Sequence, residues 1–489
     1  MIASRRVFLA AAGAAALPFT AGAAEPPPPA FLRPDAMQSD LALLGAAYAA
    51  VHPGLRRYLP RGGFAERIQA AQRWADRERA PGEFFLALAR LTAAVRCGHS
   101  YPNPSNHSRA ARAVLLAGLN RVPFTFRWID QRMIVTGTRA QTASLPIGSE
   151  ILALDDVPAR RLLTALLPLA RADGSNDAKR VAQMGVDARE RYAAFDIYRP
   201  LLFPSPTDGV VRARLRAPRG AERVVDLPTL GADEVGAKRG PEDRPGWTFD
   251  MRADGVGLLT MPDWVTYRSD WNWRGYIDET VDQLIAARAR GLIVDLRGNE
   301  GGTDCGWHLL SRLITQPVPL PGFDRKVRYR TLPASLRAPL DTWDPRFRDW
   351  GELATGPGGH GFYDLRWGDD ELAEVRPHGR RFKDKVAVLV DATCSSATFQ
   401  FANAVKAARL APLVGETTGG NRRGINGGAY FFVRLPGSGM EVDLPVIGSF
   451  SRTPQPDAGV VPDRPVAVTA ADLAAGIDRP LAAALSLLA

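Results

Sequence analysis

Cysteine is scarce in this chain of 489 residues, and its count is odd: Cys97, Cys305 and Cys394. An odd number excludes a fully paired disulfide framework. No Cys-x-x-Cys and no Cys/His spacing of the zinc-binding kind occurs, so the spacing suggests no zinc site. Small buried packing residues are the expected role of the three, although an oxidising compartment would permit a disulfide between two of them. Long basic blocks and basic–aromatic repeats are also missing. The formal net charge of +10 is spread over scattered arginines, which argues against a nucleic-acid partner. No G-x-S-x-G elbow is present, which disfavours an ordinary α/β-hydrolase. No internal repeat stands out.

What is present begins with an address. Ser4-Arg5-Arg6-Val7-Phe8-Leu9 matches the twin-arginine export pattern, and an alanine-rich apolar stretch follows it. Pro18 breaks that stretch, which is too short for a stable membrane helix. Ala21-Gly22-Ala23 reads as a small-residue cleavage site. Residues 1–23 are therefore expected to be a signal peptide cleaved near Ala23, with the mature protein in a periplasm and without an integral membrane span. Pro26-Pro27-Pro28-Pro29 reads as a stiff linker behind it.

The remaining chain divides by pattern. Residues 34–110 carry helical stripes: Leu41, Leu44, Ala47 and Tyr48, then Phe84, Phe85, Leu88, Leu91 and Val95. This predicts a helical N-terminal domain ending in Cys97-Gly98-His99-Ser100. Residues 111–247 read as a mixed α/β region, with strands at 123–128, 133–135 and 210–225 and a helix starting near Ala159. A Gly/Pro/charge-rich stretch closes it at 231–247. From 250 to 489, strands alternate with helices. Residues 317–380 interrupt that order with prolines, glycines and tryptophans and look like an inserted, lid-like element.

Two strand-to-loop units carry the chemistry. In the first, the apolar run Val386-Ala387-Val388-Leu389-Val390 meets a short polar turn and then the helical pattern Phe399, Phe401, Ala402, Val405. Ser396 sits in that turn, where its hydroxyl projects and the new helix begins with free backbone N–H groups. In the second, Leu292-Ile293-Val294 leads into Asp295-Leu296-Arg297-Gly298-Asn299-Glu300-Gly301-Gly302, a glycine-rich loop. A serine opposite such a loop suits acyl transfer.

These segments resemble the tail-specific, or C-terminal processing, serine peptidases, especially their tricorn-core-like branch. The 295–302 loop is similar to the family's Asp-Leu-Arg-x-Asn-x-Gly-Gly, and Ser395-Ser396-Ala397 to its nucleophile turn. Gly415-Glu416-Thr417-Thr418-Gly419-Gly420 resembles its Gly-Glu-x-Thr-x-Gly element. Val460-Val461-Pro462-Asp463 and Gly476-Ile477-Asp478-Arg479-Pro480-Leu481 resemble its closing elements. Glu416 follows Ser396 by the family's spacing; Ser395 misses it by one residue, about 100° of helix.

The resemblance implies an α/β fold with a crotonase-like (ClpP-like) spiral catalytic core, the helical N-terminal domain, and a small mixed domain that is PDZ-like around Ile147–Leu167. It implies peptides or unfolded proteins as substrates and a mechanism that needs no metal or organic cofactor. Ser396 is the implied nucleophile, with the backbone of Gly301, Gly302 and Ala397 as oxyanion donors. The sequence departs from the processing branch at Asn421, where a lysine base is usual, and at Phe399, where a glutamate often stands. Gly98-His99-Ser100 resembles the histidine motif of the tricorn-like branch, so His99 is the expected base. Asp457 is the carboxylate nearest to the place of the orienting acid. His52, His107, His308, His360 and His378 have weaker context. The rival expectation is a retired peptidase scaffold that binds peptides or another apolar ligand, since a fold does not guarantee an activity.

Overall fold

The computed structural model describes residues 30–489 apart from 117, 119, 141–144, 188–191, 232–244, 268 and 368–372. The proposed signal peptide lies outside the described residues. No helix among them is long and apolar enough to cross a membrane.

A six-stranded sheet carries both chemical loops. Its order is Arg464–Pro465, Leu413–Gly415, Lys385–Val390, Gly291–Asp295, Val256–Thr260 and Thr248–Met251. All neighbours are parallel except the last pair. Such a sheet is covered on both faces, so its strands are apolar throughout, and the twofold alternation assigns each residue a face. Leu292, Val294, Val388 and Val390 pack with the helices Trp273–Ala286, Cys305–Ser311 and Ser396–Ala407. Ile293, Ala387 and Leu389 face the terminal helix Arg479–Leu488 through Ala484 and Leu488.

The N-terminal helices form as their stripes predict. Pro34 opens Pro34–Val51 at a first-turn position, where its missing N–H costs nothing. Met37, Leu41, Leu44, Ala47, Tyr48 and Val51 are its buried stripe. These helices share one core with the mixed region and with a second large sheet. That seven-stranded sheet runs Leu340–Asp341, Asn426–Leu435, Met440–Ser451, Phe323–Val327, Tyr363–Leu365, Ala354–Thr355, and Tyr101–Pro102 joins it on Met440–Ser451. The lid-like expectation for 317–380 therefore meets a different outcome. Its described residues supply strands to this sheet and bury Val327, Tyr329, Leu340, Phe347 and Trp350 in the common core. The mixed region is a six-stranded antiparallel sheet in which Glu150–Leu154 pairs with Val210–Arg216 and the helix Ala159–Leu166 packs against it.

Candidate active site

The turn after Lys385–Val390 is built by Asp391. Its carboxylate accepts from Thr393 N–H at 2.9 Å and from Gly298 N–H at 3.1 Å, joining the two loops. Ser395 caps the following helix in extended conformation, and Ser396 opens it at φ +53°, in the left-handed region. A serine held there is strained by about 1–3 kcal/mol and lifts its side chain clear of the helix.

Gly301 packs directly beneath it. A Cβ at Gly301 would lie 2.8 Å from Ser396 Cβ and 2.9 Å from Ala397 N, so only glycine fits, and its φ of +95° requires glycine as well. The oxyanion donors need one correction. Gly301 N–H is already engaged, donating to Asn299 Oδ1 at 2.8 Å. Gly302 N–H and Ala397 N–H have no protein acceptor among the described residues, and they remain the candidates. Asn299 is fully buried and also donates from Nδ2 to Met261 O at 2.7 Å.

The tail motif has a structural task. Arg297 bridges Asp295 and Asp478, at 2.6 and 2.8 Å, and Asp478 caps the terminal helix by accepting from Leu481 N–H. Glu416 pairs with Arg127 of the mixed region at 3.0 Å. Burial raises the Glu416 carboxyl, and Arg127 offsets part of that.

His99 comes from the N-terminal part of the chain. It is held by the segment before Tyr101–Pro102, whose strand partners are Val442 and Asp443. Its ring lies beside Tyr430, with centroids 6.0 Å apart, and a Cβ on Gly427 would be 3.6 Å from Nε2. Burial lowers the imidazole below its ordinary value. Asp173 and Glu300 pull it back up, and Arg171 and Lys179 add to the lowering. The ring is therefore neutral at pH 7 and able to accept a proton. No hydrogen bond joins it to Ser396 Oγ among the described residues. Glu300 links the two sides. Its backbone oxygen accepts from Ser395 Oγ at 3.4 Å, and its carboxylate takes Lys179 Nζ and, at 3.3 Å, Arg171. Against desolvation, those two cations hold the Glu300 carboxyl at about 2.

Asp457 is not placed on the imidazole. It accepts from Ser175 N–H at 2.9 Å, from Ser175 Oγ at 2.8 Å and from Asn421 Nδ2 at 2.6 Å. The carboxylate beside His99 is Asp173, with an oxygen within 4.8 Å of a ring nitrogen. Asn421, in the place of the usual lysine, is fully buried and ties the Asp457 carboxylate to Asp173 O. Arg171, Asp173 and Lys179 were missed in the sequence. Their local signal is a turn, Asp173-Gly174-Ser175-Asn176, in which Gly174 takes φ +61° and Asn176 caps a helix. Such turns occur on most surfaces.

Of the other histidines, His360 and His378 are exposed, and the remaining three are engaged elsewhere or buried. His52 Nδ1 accepts from Gly54 N–H, which leaves Nε2–H to donate to Ser100 Oγ, both at 3.0 Å. His308 pairs with Asp278 at 3.0 Å, and His107 is buried against Phe85. All three cysteines are buried and free.

Residues 255–438 match the family described as peptidase family S41. The matched segment holds both chemical loops, and the match supports a serine-type peptidase, a hydrolase of peptides or proteins. A comparison with curated protein sequences finds no match. Among solved structures, the chain is similar to mature CPAF complexed with lactacystin, with a TM-score of 0.63, 16% identity, and 93% of this chain and 98% of that one covered. It is similar to mature CPAF alone at a TM-score of 0.57, 16% identity and coverages of 90% and 94%. The photosystem II D1 C-terminal processing protease matches at a TM-score of 0.43 and 16% identity, over 88% of this chain and 93% of that one. At these identities the likeness extends to the fold, a mixed α/β architecture with curled sheets.

Proposed function

We propose that this chain cleaves peptide bonds through an acyl-enzyme on Ser396, with His99 as general base. Ser396 Oγ bonds to the scissile carbonyl carbon as its proton passes to His99. The C–N bond then breaks, and the same proton goes to the leaving amine. Water, deprotonated by His99, releases the acid and restores the serine. Gly302 and Ala397 N–H groups hold the oxyanion. Asp173, rather than Asp457, orients the imidazole. The hydrogen bond between Ser396 and His99 closes when substrate binds, as catalytic contacts that are loose without ligand commonly do. One observation carries this reading: Ser396 is held at φ +53° directly over Gly301 and beside the Ala397 N–H, which has no protein acceptor among the described residues.

The wider reading includes a crotonase-like spiral for the core, a PDZ-like role for the mixed region, and twin-arginine export to the periplasm. The missing Ser396–His99 hydrogen bond, together with Asn421 in place of a lysine, favours the rival of a retired scaffold that binds peptides. A fluorophosphonate probe separates the two. An enzyme is labelled, and labelling disappears in Ser396→Ala; a retired scaffold leaves the folded wild type unlabelled.

A further inference from the structure

Cys97, His99 and Asp173 converge from two separate segments. Cys97 Sγ, one His99 ring nitrogen and one Asp173 carboxylate oxygen all lie within 4.8 Å of one another. Cys97 and Asp173 are buried. His99 Nδ1 is enclosed and has no hydrogen-bond partner among the described residues, which is an unusual condition for a buried polar atom. Asp173 keeps its position through Gly98 N–H, which donates to Oδ1 at 2.9 Å. Thiolate, imidazole and carboxylate together are the donor set of Zn²⁺ and its congeners. Three such donors, with a fourth position open to water, would draw in from separations of up to 4.8 Å to reach metal–ligand distances of about 2.0–2.3 Å. The nearby cations Arg171 and Lys179 are both paired with Glu300, whose single charge counters half of theirs.

We infer that Cys97, His99 and Asp173 form a binding site for a soft divalent cation such as Zn²⁺, and that its occupancy silences the peptidase. The second half rests on His99 being the base: a ring nitrogen committed to the metal takes the imidazole out of proton transfer. Binding breaks the Cys97 S–H bond, forms a sulfur–metal bond and releases the proton to water. Cys97 is the residue that makes the difference, because a base and its carboxylate alone do not hold zinc tightly.

Cobalt(II) tests the site without reference to activity. Wild-type protein titrated with Co²⁺ should show a near-ultraviolet thiolate-to-cobalt charge-transfer band, and Cys97→Ser should lose it. Losing even an outer partner of a metal site costs about 10–100-fold in affinity, so losing the thiolate should cost at least the upper end. Fluorophosphonate labelling of wild type should slow as Zn²⁺ is added and recover with chelator, while Cys97→Ser should label normally and resist Zn²⁺. Should Cys97→Ser fold poorly, Asp173→Asn serves instead, keeping the thiolate band but weakening cobalt affinity. Absence of the band in wild type, or its survival in Cys97→Ser, overturns the site. A band that depends on Cys97 without any slowing of labelling upholds the site and overturns the role of His99 as base.

Discussion

Thr398 donates its hydroxyl to Asn299 Oδ1 at 2.7 Å, and this fully buried contact joins the glycine loop to the helix that starts at Ser396. The same oxygen accepts from Gly301 N–H. Asn299→Leu removes the acceptor for both donors. Each donor left buried without a partner costs about 1–3 kcal/mol. Urea unfolding should show a loss in that range or up to twice it. Peptidase activity at temperatures where the variant is still folded should fall further, because Gly301 no longer seats Ser396.

Ser395 and Ser396 are neighbours with opposite tasks. Ser395 caps the helix, and its hydroxyl reaches Glu300 O; Ser396 alone has the left-handed backbone. Ser396→Ala should abolish fluorophosphonate labelling and leave the thermal midpoint nearly unchanged or slightly raised. Ser395→Ala should keep most labelling. The opposite pattern would shift the nucleophile by one position.

The pH profile follows from the environment of His99. Burial lowers the imidazole, so the acid limb of the acylation rate should lie below the usual histidine value of about 6.5. Activity is present above that limb and lost below it. Asp173 pulls the imidazole up; Asp173→Asn should move the limb to lower pH, in addition to any loss of rate. His99→Ala should lower acylation by a factor of about 10²–10⁴. Rate measurements across pH 4–8 with a chromogenic peptide check both.

Stability should respond to Asp443. Burial raises its carboxyl to about 6, with Asn103 and Asn106 donating to it and offsetting part of the rise. The native state therefore holds this proton more tightly than the unfolded chain, whose value is near 3.9. Its contribution is complete below about pH 4 and disappears as pH rises through about 6. Asp443→Asn should flatten that part of the stability profile. Thermal midpoints of the two proteins at pH 4 and pH 7 give the comparison.

Much of this was readable in the sequence because it is local. The strand Gly291–Asp295 and the turn to Ser396 announce themselves by apolar runs that end in glycine or small polar residues. The helical stripes of 34–95 are set by spacing alone. What could not be read depends on distance in sequence. Phe323 pairs with Ser451, and no periodicity within 317–380 reveals a partner so remote, so the segment resembled a lid. Asp173, Arg171 and Lys179 reach His99 by tertiary folding, and nothing in their turn marks them as its neighbours. The loss of Gly301 as an oxyanion donor was within reach: an asparagine two residues before a glycine commonly accepts that glycine's N–H.

The strand pair that seats His99 also sets a clock. Asn103 and Asp443 are 340 positions apart. At translation rates of about 5–20 residues per second, roughly 20–70 s separate the synthesis of the histidine segment from that of its partner strand. Throughout that interval the nascent chain carries His99, the proposed base, without its seat, and for most of it without Ser396. With Ser396 as the proposed nucleophile and His99 as its proposed base, hydrolysis begins only after this pairing across 340 positions has closed.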